Sequence, residues 1–412
     1  MKIAIIGAGA SGIVASLIAK SLNNSLEIDL FDANKNIAKK ILASGNGRCN
    51  ISNTNLDSSH YLGEHPKFVD YVLREFDFHM FENFFAKLGL QIDIKENNKV
   101  YPLSNEAKSV TTLLSLALKR ANVNILCDHF VTSLDKKDDL FRVVTNQKEY
   151  NGYSKVLISS GLLAAPQLNS TSIGVEIASK FGHTFSTLYP SLVGLKTTSS
   201  YNKRLQGLKC ECSVSLYINK TFEEQILGDV LFTNYGVSGF AILDISQKAS
   251  LALYNSYSVE LEINFFPNTT SNNLANNITK LFKGLEEEKV LDILGGIISN
   301  KLAPVLLDIC HIEKETIIKE LNTKEIKKLS YQLCSWKIKV VDTQGFAHAE
   351  VCGGGVNTKE IDNKSFESKI VKNLYFSGEV LDIVGKRGGY NLHFAWASGY
   401  LAGKAMANQS TK

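Results

Sequence analysis

Between Lys2 and Asp32 the chain reads KIAIIGAGASGIVASLIAKSLNNSLEIDLFD, and no other stretch narrows the possible folds as far. Ile3 to Ile6 is a short apolar run of the kind that a parallel strand buried on both faces requires. Gly7-Ala8-Gly9-Ala10-Ser11-Gly12 follows at once, and Ile13, Val14, Leu17 and Ile18 then repeat at helical spacing. A second strand, Leu26 to Phe31, ends in Asp32. Each part has a task in holding a dinucleotide. Gly7 allows a tight turn, Gly9 lets backbone approach a diphosphate, and Gly12 lets helix pack on strand. The N–H groups of Ala10 and Ser11, at the positive end of the helix, face the phosphates. Asp32 accepts from the adenosine ribose. A secretory leader begins in a similar way, but no small-residue cleavage site follows and LEIDLFD alternates immediately.

The net charge of +4 on 412 residues is small, so the composition implies neither a nucleic-acid nor an anionic-membrane partner. No apolar run is long enough to span a bilayer. Seven cysteines without a regular framework point to reduced thiols and a cytoplasmic protein. Cys210 and Cys212, one residue apart, match neither a redox CxxC nor a zinc pair and read as packing residues. No cluster has metal-ligand spacing, so no metal is expected.

A second glycine loop lies at residues 36–53, centred on Ser44-Gly45-Asn46-Gly47-Arg48-Cys49-Asn50. Lys39, Lys40 and Arg48 put positive charge just past the adenosine-binding strand, and Gly45 and Gly47 permit close approach of backbone to a ligand. Phe68 to Leu88 and Ala107 to Ala121 read as amphipathic core helices. Strands follow at Asn124–Cys127, Phe141–Thr145 and Lys155–Ser159. The last closes on Ser160-Gly161, small residues suited to a chain passing close beneath a nucleotide.

After Pro190 the composition changes. Residues 191–270 alternate as antiparallel strands of a barrel, and 271–335 carry leucine and isoleucine stripes of helices. These are read as one inserted lobe between nucleotide-binding segments 1–190 and 336–412. The final segment holds Cys352-Gly353-Gly354-Gly355, a strand LYFSGEVLD at 374–382, the loop Gly385 to Asn391 and a helix Leu392 to Met406. Gly378, Glu379 and Asp382 lie on that strand, Asp382 as an acceptor for ribityl hydroxyls. Gly388, Gly389, Tyr390 and Asn391 precede the helix, whose dipole favours the electron-rich edge of a reduced flavin. Lys386 and Arg387 suit either an anionic substrate or phosphate.

GAGASG at 7–12, KILASGNGRCNISN at 40–53, LFTNYGVSG at 231–239, CGGGV at 352–356 and YFSGEVLDIVGKRGGYNLHFAWASGYLAG at 375–403 resemble the BaiN-like family of NAD(P)/FAD-dependent oxidoreductases, also described as aminoacetone-oxidase-like FAD-binding enzymes. The resemblance spans residues 1–407. It implies an α/β architecture: a Rossmann-like FAD-binding lobe of the two-dinucleotide-binding flavoprotein type, with an inserted β-barrel plus helical lobe. It also implies bound FAD and a small-molecule substrate; as no second dinucleotide fingerprint is present, either NAD(P)H docks transiently as reductant or the substrate itself reduces the flavin. Ser160-Gly161-Leu162, Asn169, Ser172, Phe240 and Cys352 depart from the family pattern. Acid–base candidates form a pool of His348, Cys352, Tyr390 and His393, none singled out. An oxidase acting on an amine with dioxygen, and a flavoprotein acting on tRNA, are the alternatives.

Overall fold

The computed structural model describes residues 1–408 and divides the chain into two compact units. One comprises residues 1–189 with the described residues from 350 onward, and the other residues 190–349.

The first unit is built on a five-stranded parallel sheet, in the order Leu374–Phe376, Lys155–Ile158, Lys2–Ile6, Glu27–Phe31, Asn124–Leu126. Apolar residues fill the central strands because both faces are covered; Ile3, Ala4 and Ile5 have no exposed surface. The sheet brings residue 376 beside residue 158, and residue 158 beside residue 6. The segments that follow residues 6, 158 and 376 therefore leave the sheet side by side at its carboxyl edge.

Helices repeat that junction. The opening helix Ala10–Leu22 packs along the closing helix Tyr390–Ala407 through glycines that admit no side chain. A Cβ on Gly399 would lie 2.3 Å from the Ser11 carbonyl oxygen, and one on Gly403 would lie 2.5 Å from that of Ala15. Small residues at this spacing let two backbones touch directly. The closing helix ends on the buried Lys155, whose Nζ donates to the carbonyls of Met406 (3.2 Å) and Asn408 (2.6 Å). The ammonium thus satisfies carbonyls left over at a helix end and sits at the negative pole of the dipole. Lys155→Met is expected to cost about 2 kcal/mol, read as a lower urea midpoint with an unchanged slope.

Phe68 to Leu88 is two helices rather than one: Val69–Glu75 stops, and Asp77 caps Phe78–Lys87 by accepting from the Met80 N–H. The strand expected at 374–382 ends at Phe376, because Gly378 turns at φ +74° into a short helical turn Gly378–Val380.

The second unit is a closed six-stranded antiparallel barrel. Its order is Leu195–Thr197, Gly236–Ser238, Thr221–Phe232, Lys209–Ile218, Val259–Asn264, Trp336–Thr343. Helices Ser271–Phe282, Val290–Leu294, Ala303–Cys310 and Thr323–Cys334 are an excursion between the last two of these strands. The boundary read at residue 336 is therefore corrected. Trp336–Thr343 belongs to the barrel, pairing Ile263 with Trp336 on one side and Leu195 with Thr343 on the other. Without it the barrel would keep two open edges.

Candidate active site at the meeting of the chain ends

The three fingerprint glycines do different work. Gly7 sits at φ +107°, and a Cβ there would lie 2.4 Å from the Ser159 carbonyl oxygen. A Cβ on Gly12 would lie 2.0 Å from the Gly7 oxygen. Both are glycine because protein backbone crowds them. Gly9 differs: nothing stands within 4 Å of its Cβ position. It is the N-cap of the opening helix, no side chain caps that helix, and its first turn holds no acidic residue. Open space thus lies before a set of uncapped N–H groups. Ser11 offers only its backbone here, since its hydroxyl is buried toward the Ser377 carbonyl.

Asp32 closes this turn from the next strand. One oxygen accepts from the Ala8 N–H (3.0 Å), the other from the Asn34 N–H (2.8 Å) and side-chain amide (3.1 Å). Burial pushes its carboxyl above the usual range, while those hydrogen bonds work the other way. Three of about four acceptor positions are filled, which leaves one for a ribose hydroxyl.

The second glycine loop and the loop before the closing helix form one wall. Gly45, Asn46 and Gly47 all have positive φ, as does the buried Cys49, while Arg48 is exposed. Burial pushes the Cys49 thiol up to about 11, so it stays protonated. The Asn53 amide donates to the Gly388 carbonyl at 3.0 Å, and a Cβ on Gly389 would lie 2.2 Å from the Ser52 carbonyl oxygen. Asn50 Oδ1, 2.9 Å from that same Cβ position, is buried with no hydrogen-bond partner. Ser160 Oγ is also buried and unpartnered, on the strand end where Gly161 turns at φ +69°. The closing helix begins behind Gly389, again with no side-chain cap and no acid in its first turn.

Other expected contacts are internal ties. Lys40 pairs with Glu379 at 2.6 Å, and Glu379 also accepts from the Cys352 N–H at 2.9 Å. The Gly378 N–H donates to Ser398. Asp382 is buried; its carboxylate accepts from the Glu64 N–H, and burial pushes its pKa up. The Asn391 side chain clasps Gly385, its Oδ1 accepting from the Gly385 N–H and its Nδ2 donating to the Gly385 carbonyl. His60 and Tyr61 were not anticipated. His60 stacks on Tyr390 (4.4 Å between centroids, 20°), and the Tyr61 hydroxyl donates to the Tyr390 carbonyl. No periodicity marks them; only the pairing of Tyr61–Leu62 with Val384–Gly385 brings them in.

The acid–base pool separates. His348 lies exposed on the turn Phe346–His348 of the second unit. Cys352 is buried, and burial pushes its thiol up to about 12, so it stays protonated and offers no thiolate to act as a base. Tyr390 is buried beneath His60. His393 leaves the pool: it has no exposed surface and so cannot reach a ligand. Its Nε2–H donates to the Phe76 carbonyl (3.0 Å), which makes Nδ1 the acceptor for the Ser52 hydroxyl (2.9 Å). Burial lowers its pKa to about 4. Below about 6.5 the unfolded chain binds a proton that the folded chain refuses, so stability falls as pH drops toward 4. This group's share of the loss approaches roughly 3 kcal/mol. The stability difference between wild type and His393→Gln, followed by urea melts from pH 7 to pH 4, is expected to shrink by that amount.

The open ground before Gly9, two uncapped helix starts and the orphaned Asn50 and Ser160 oxygens fit an extended dinucleotide lying along the sheet edge. Among the described residues no group of three or more His, Cys, Asp or Glu could hold a metal ion. No helix of the described residues is long and apolar enough to cross a membrane.

A family model described as HI0933-like protein Rossmann domain matches residues 1–405. The chain is 33% identical over 408 residues to a 3-dehydro-bile acid delta(4,6)-reductase of Clostridium scindens, covering 99% of each. It is 30% identical over 410 residues to a ribosomal RNA dihydrouridine synthase of Haemophilus influenzae, covering 98% of each. An Escherichia coli protein of the same description is 28% identical over 398 residues, covering 96% of this chain and 95% of the relative.

Proposed function

We propose, from the premise that this chain belongs to the HI0933-like Rossmann family, that it is an FAD-dependent oxidoreductase. Its substrate is a small organic molecule with a carbon–carbon double bond to be saturated, and NAD(P)H is the reductant that docks transiently. The observation that carries FAD is the open space before Gly9, where the two other fingerprint glycines are walled in by backbone. The N–H groups after Gly9 would hold the diphosphate, and the last acceptor position on Asp32 the adenosine ribose. Asn50, Gly388, Gly389 and the start of the closing helix would meet the ring system. Bound there, the flavin supplies hydride transfer. The chain contributes orientation, and the positive end of Tyr390–Ala407 favours negative charge arriving beside it.

The choice of reaction rests on the relatives. Reduction of double bonds is what the names of both the bile-acid reductase and the dihydrouridine synthases describe. They divide on substrate. The small-molecule reading is supported by charge, because the second unit carries seventeen basic and seventeen acidic side chains, a balance that gives no electrostatic footprint for RNA. The RNA reading is supported by the two synthase-named relatives.

Anaerobic mixing with NADH or NADPH is expected to bleach the flavin. A conjugated enone, but not a ribosomal RNA fragment, is then expected to restore the colour and emerge two hydrogens heavier. Recovery of dihydrouridine from the RNA arm would replace the substrate assignment. Reoxidation by dioxygen alone, after bleaching by an amine and not by nicotinamide, would replace the reductase with an oxidase.

A further inference from the structure

Two thiols in the barrel lie outside everything described above. Cys210 and Cys212 sit at alternate positions of the strand Lys209–Ile218, so their side chains leave the same face. Their sulfurs are 3.3 Å apart, with the Cys212 S–H donating to the Cys210 sulfur. Cys212 is sealed in the barrel core, whereas Cys210 is half-buried and reachable from solvent.

We propose that Cys210 and Cys212 form a reversible modification site, a dithiol that a hydroperoxide closes into an intrastrand disulfide and a thiol reductant reopens. Cys210 is the attacking sulfur. Its thiolate attacks the terminal oxygen of the hydroperoxide, the O–O bond breaks, and Cys210 becomes a sulfenic acid while the alkoxide (hydroxide, from hydrogen peroxide) leaves with the former Cys210 proton as alcohol or water. The Cys212 sulfur then attacks the Cys210 sulfur, an S–S bond forms, and the departing hydroxide leaves as water with the Cys212 proton. Two thiols and one hydroperoxide thus give one disulfide, one water and the alcohol or second water.

Three features of the strand support this chemistry. The donated hydrogen bond from Cys212 holds the Cys210 thiol below its usual range, which favours the nucleophilic thiolate. Closing a bond between alternate residues of an extended strand requires it to pucker, since disulfide Cβ atoms lie about 3.8 Å apart. Here the strand is free to do so. From Lys209 to Cys212 it pairs on one side only, with Thr221–Phe232, and the ladder to Val259–Asn264 begins at Ser213. Opposite Cys212 stands Gly228, with no side chain to resist the movement. Half-buried Cys210 also leaves the bond open to an attacking thiolate, which makes the site reversible.

The experiment uses the full-length protein, reduced, exposed to one equivalent of hydrogen peroxide, alkylated in denaturant and digested with trypsin. Cleavage after Lys209 and Lys220 leaves both sulfurs in a single peptide, CECSVSLYINK. That peptide is expected to lose two hydrogens and carry no alkyl group, and to regain two alkylation sites after dithiothreitol. In Cys212→Ser, a dimedone-type probe is expected to trap a sulfenic acid on Cys210. The wild-type peptide is decisive even if that variant folds poorly. Full alkylation of both cysteines after peroxide would overturn the proposal. So would Cys210 advancing to sulfinic acid with Cys212 still free. Neither outcome bears on the flavin assignment, because the readout is independent of cofactor and turnover.

Discussion

Gly9→Val is expected to yield a folded protein that purifies without flavin. No protein atom stands within 4 Å of the Cβ position at Gly9, so the new side chain meets no neighbour in the empty fold. It occupies instead the ground in front of the uncapped N–H groups of the opening helix. Losing two charge-assisted hydrogen bonds to a diphosphate costs roughly 3–6 kcal/mol, or about two to four orders of magnitude in affinity. The checks are the visible spectrum of the purified variant and its FAD affinity by fluorescence quenching. Its melting temperature should match that of wild type stripped of flavin, because only the ligand's contribution to stability is lost. Wild-type cofactor retention would remove the central support for the site.

Gly399→Val should produce the opposite pair of results: damage to the fold itself, with or without cofactor. A Cβ at Gly399 would stand 2.3 Å from the Ser11 carbonyl oxygen, and backbone cannot swing aside as a side chain can. The opening and closing helices must part to admit it. Overpacking a tight interface typically costs about 1–3 kcal/mol, and an immovable backbone neighbour places this site at about 3 kcal/mol or beyond. Urea unfolding of the stripped proteins would show it as a fall in midpoint at similar slope. A midpoint equal to that of wild type would mean that this helix pair does not weld the chain ends together.

These variants separate two kinds of glycine. GAGASG sets Gly9 apart by its place in a dinucleotide turn, whereas nothing in the closing segment marks Gly399 as the glycine that lies against the Ser11 carbonyl. The same holds for histidines. His393 follows a glycine loop and invites a catalytic reading, but the backbone carbonyl of Phe76, more than three hundred residues earlier, accepts a hydrogen bond from its ring N–H in the buried core. His60 belongs to no motif and still lies against Tyr390 at the start of the closing helix.

The opening strand, turn, helix and second strand with its terminal acid were legible because every constraint on them acts within some thirty residues: buried-strand apolarity, helical spacing, glycine where the turn needs it. The barrel strands were visible as alternation for the same reason. Closure of that barrel by Trp336–Thr343 was not, nor was the wall that Asn53 makes with Gly388 across 335 positions of sequence. Such contacts leave no period in the chain, since each depends on where folding carries a distant partner. Local geometry wrote the dinucleotide turn into the residues; the packing of remote segments decided what stands around it.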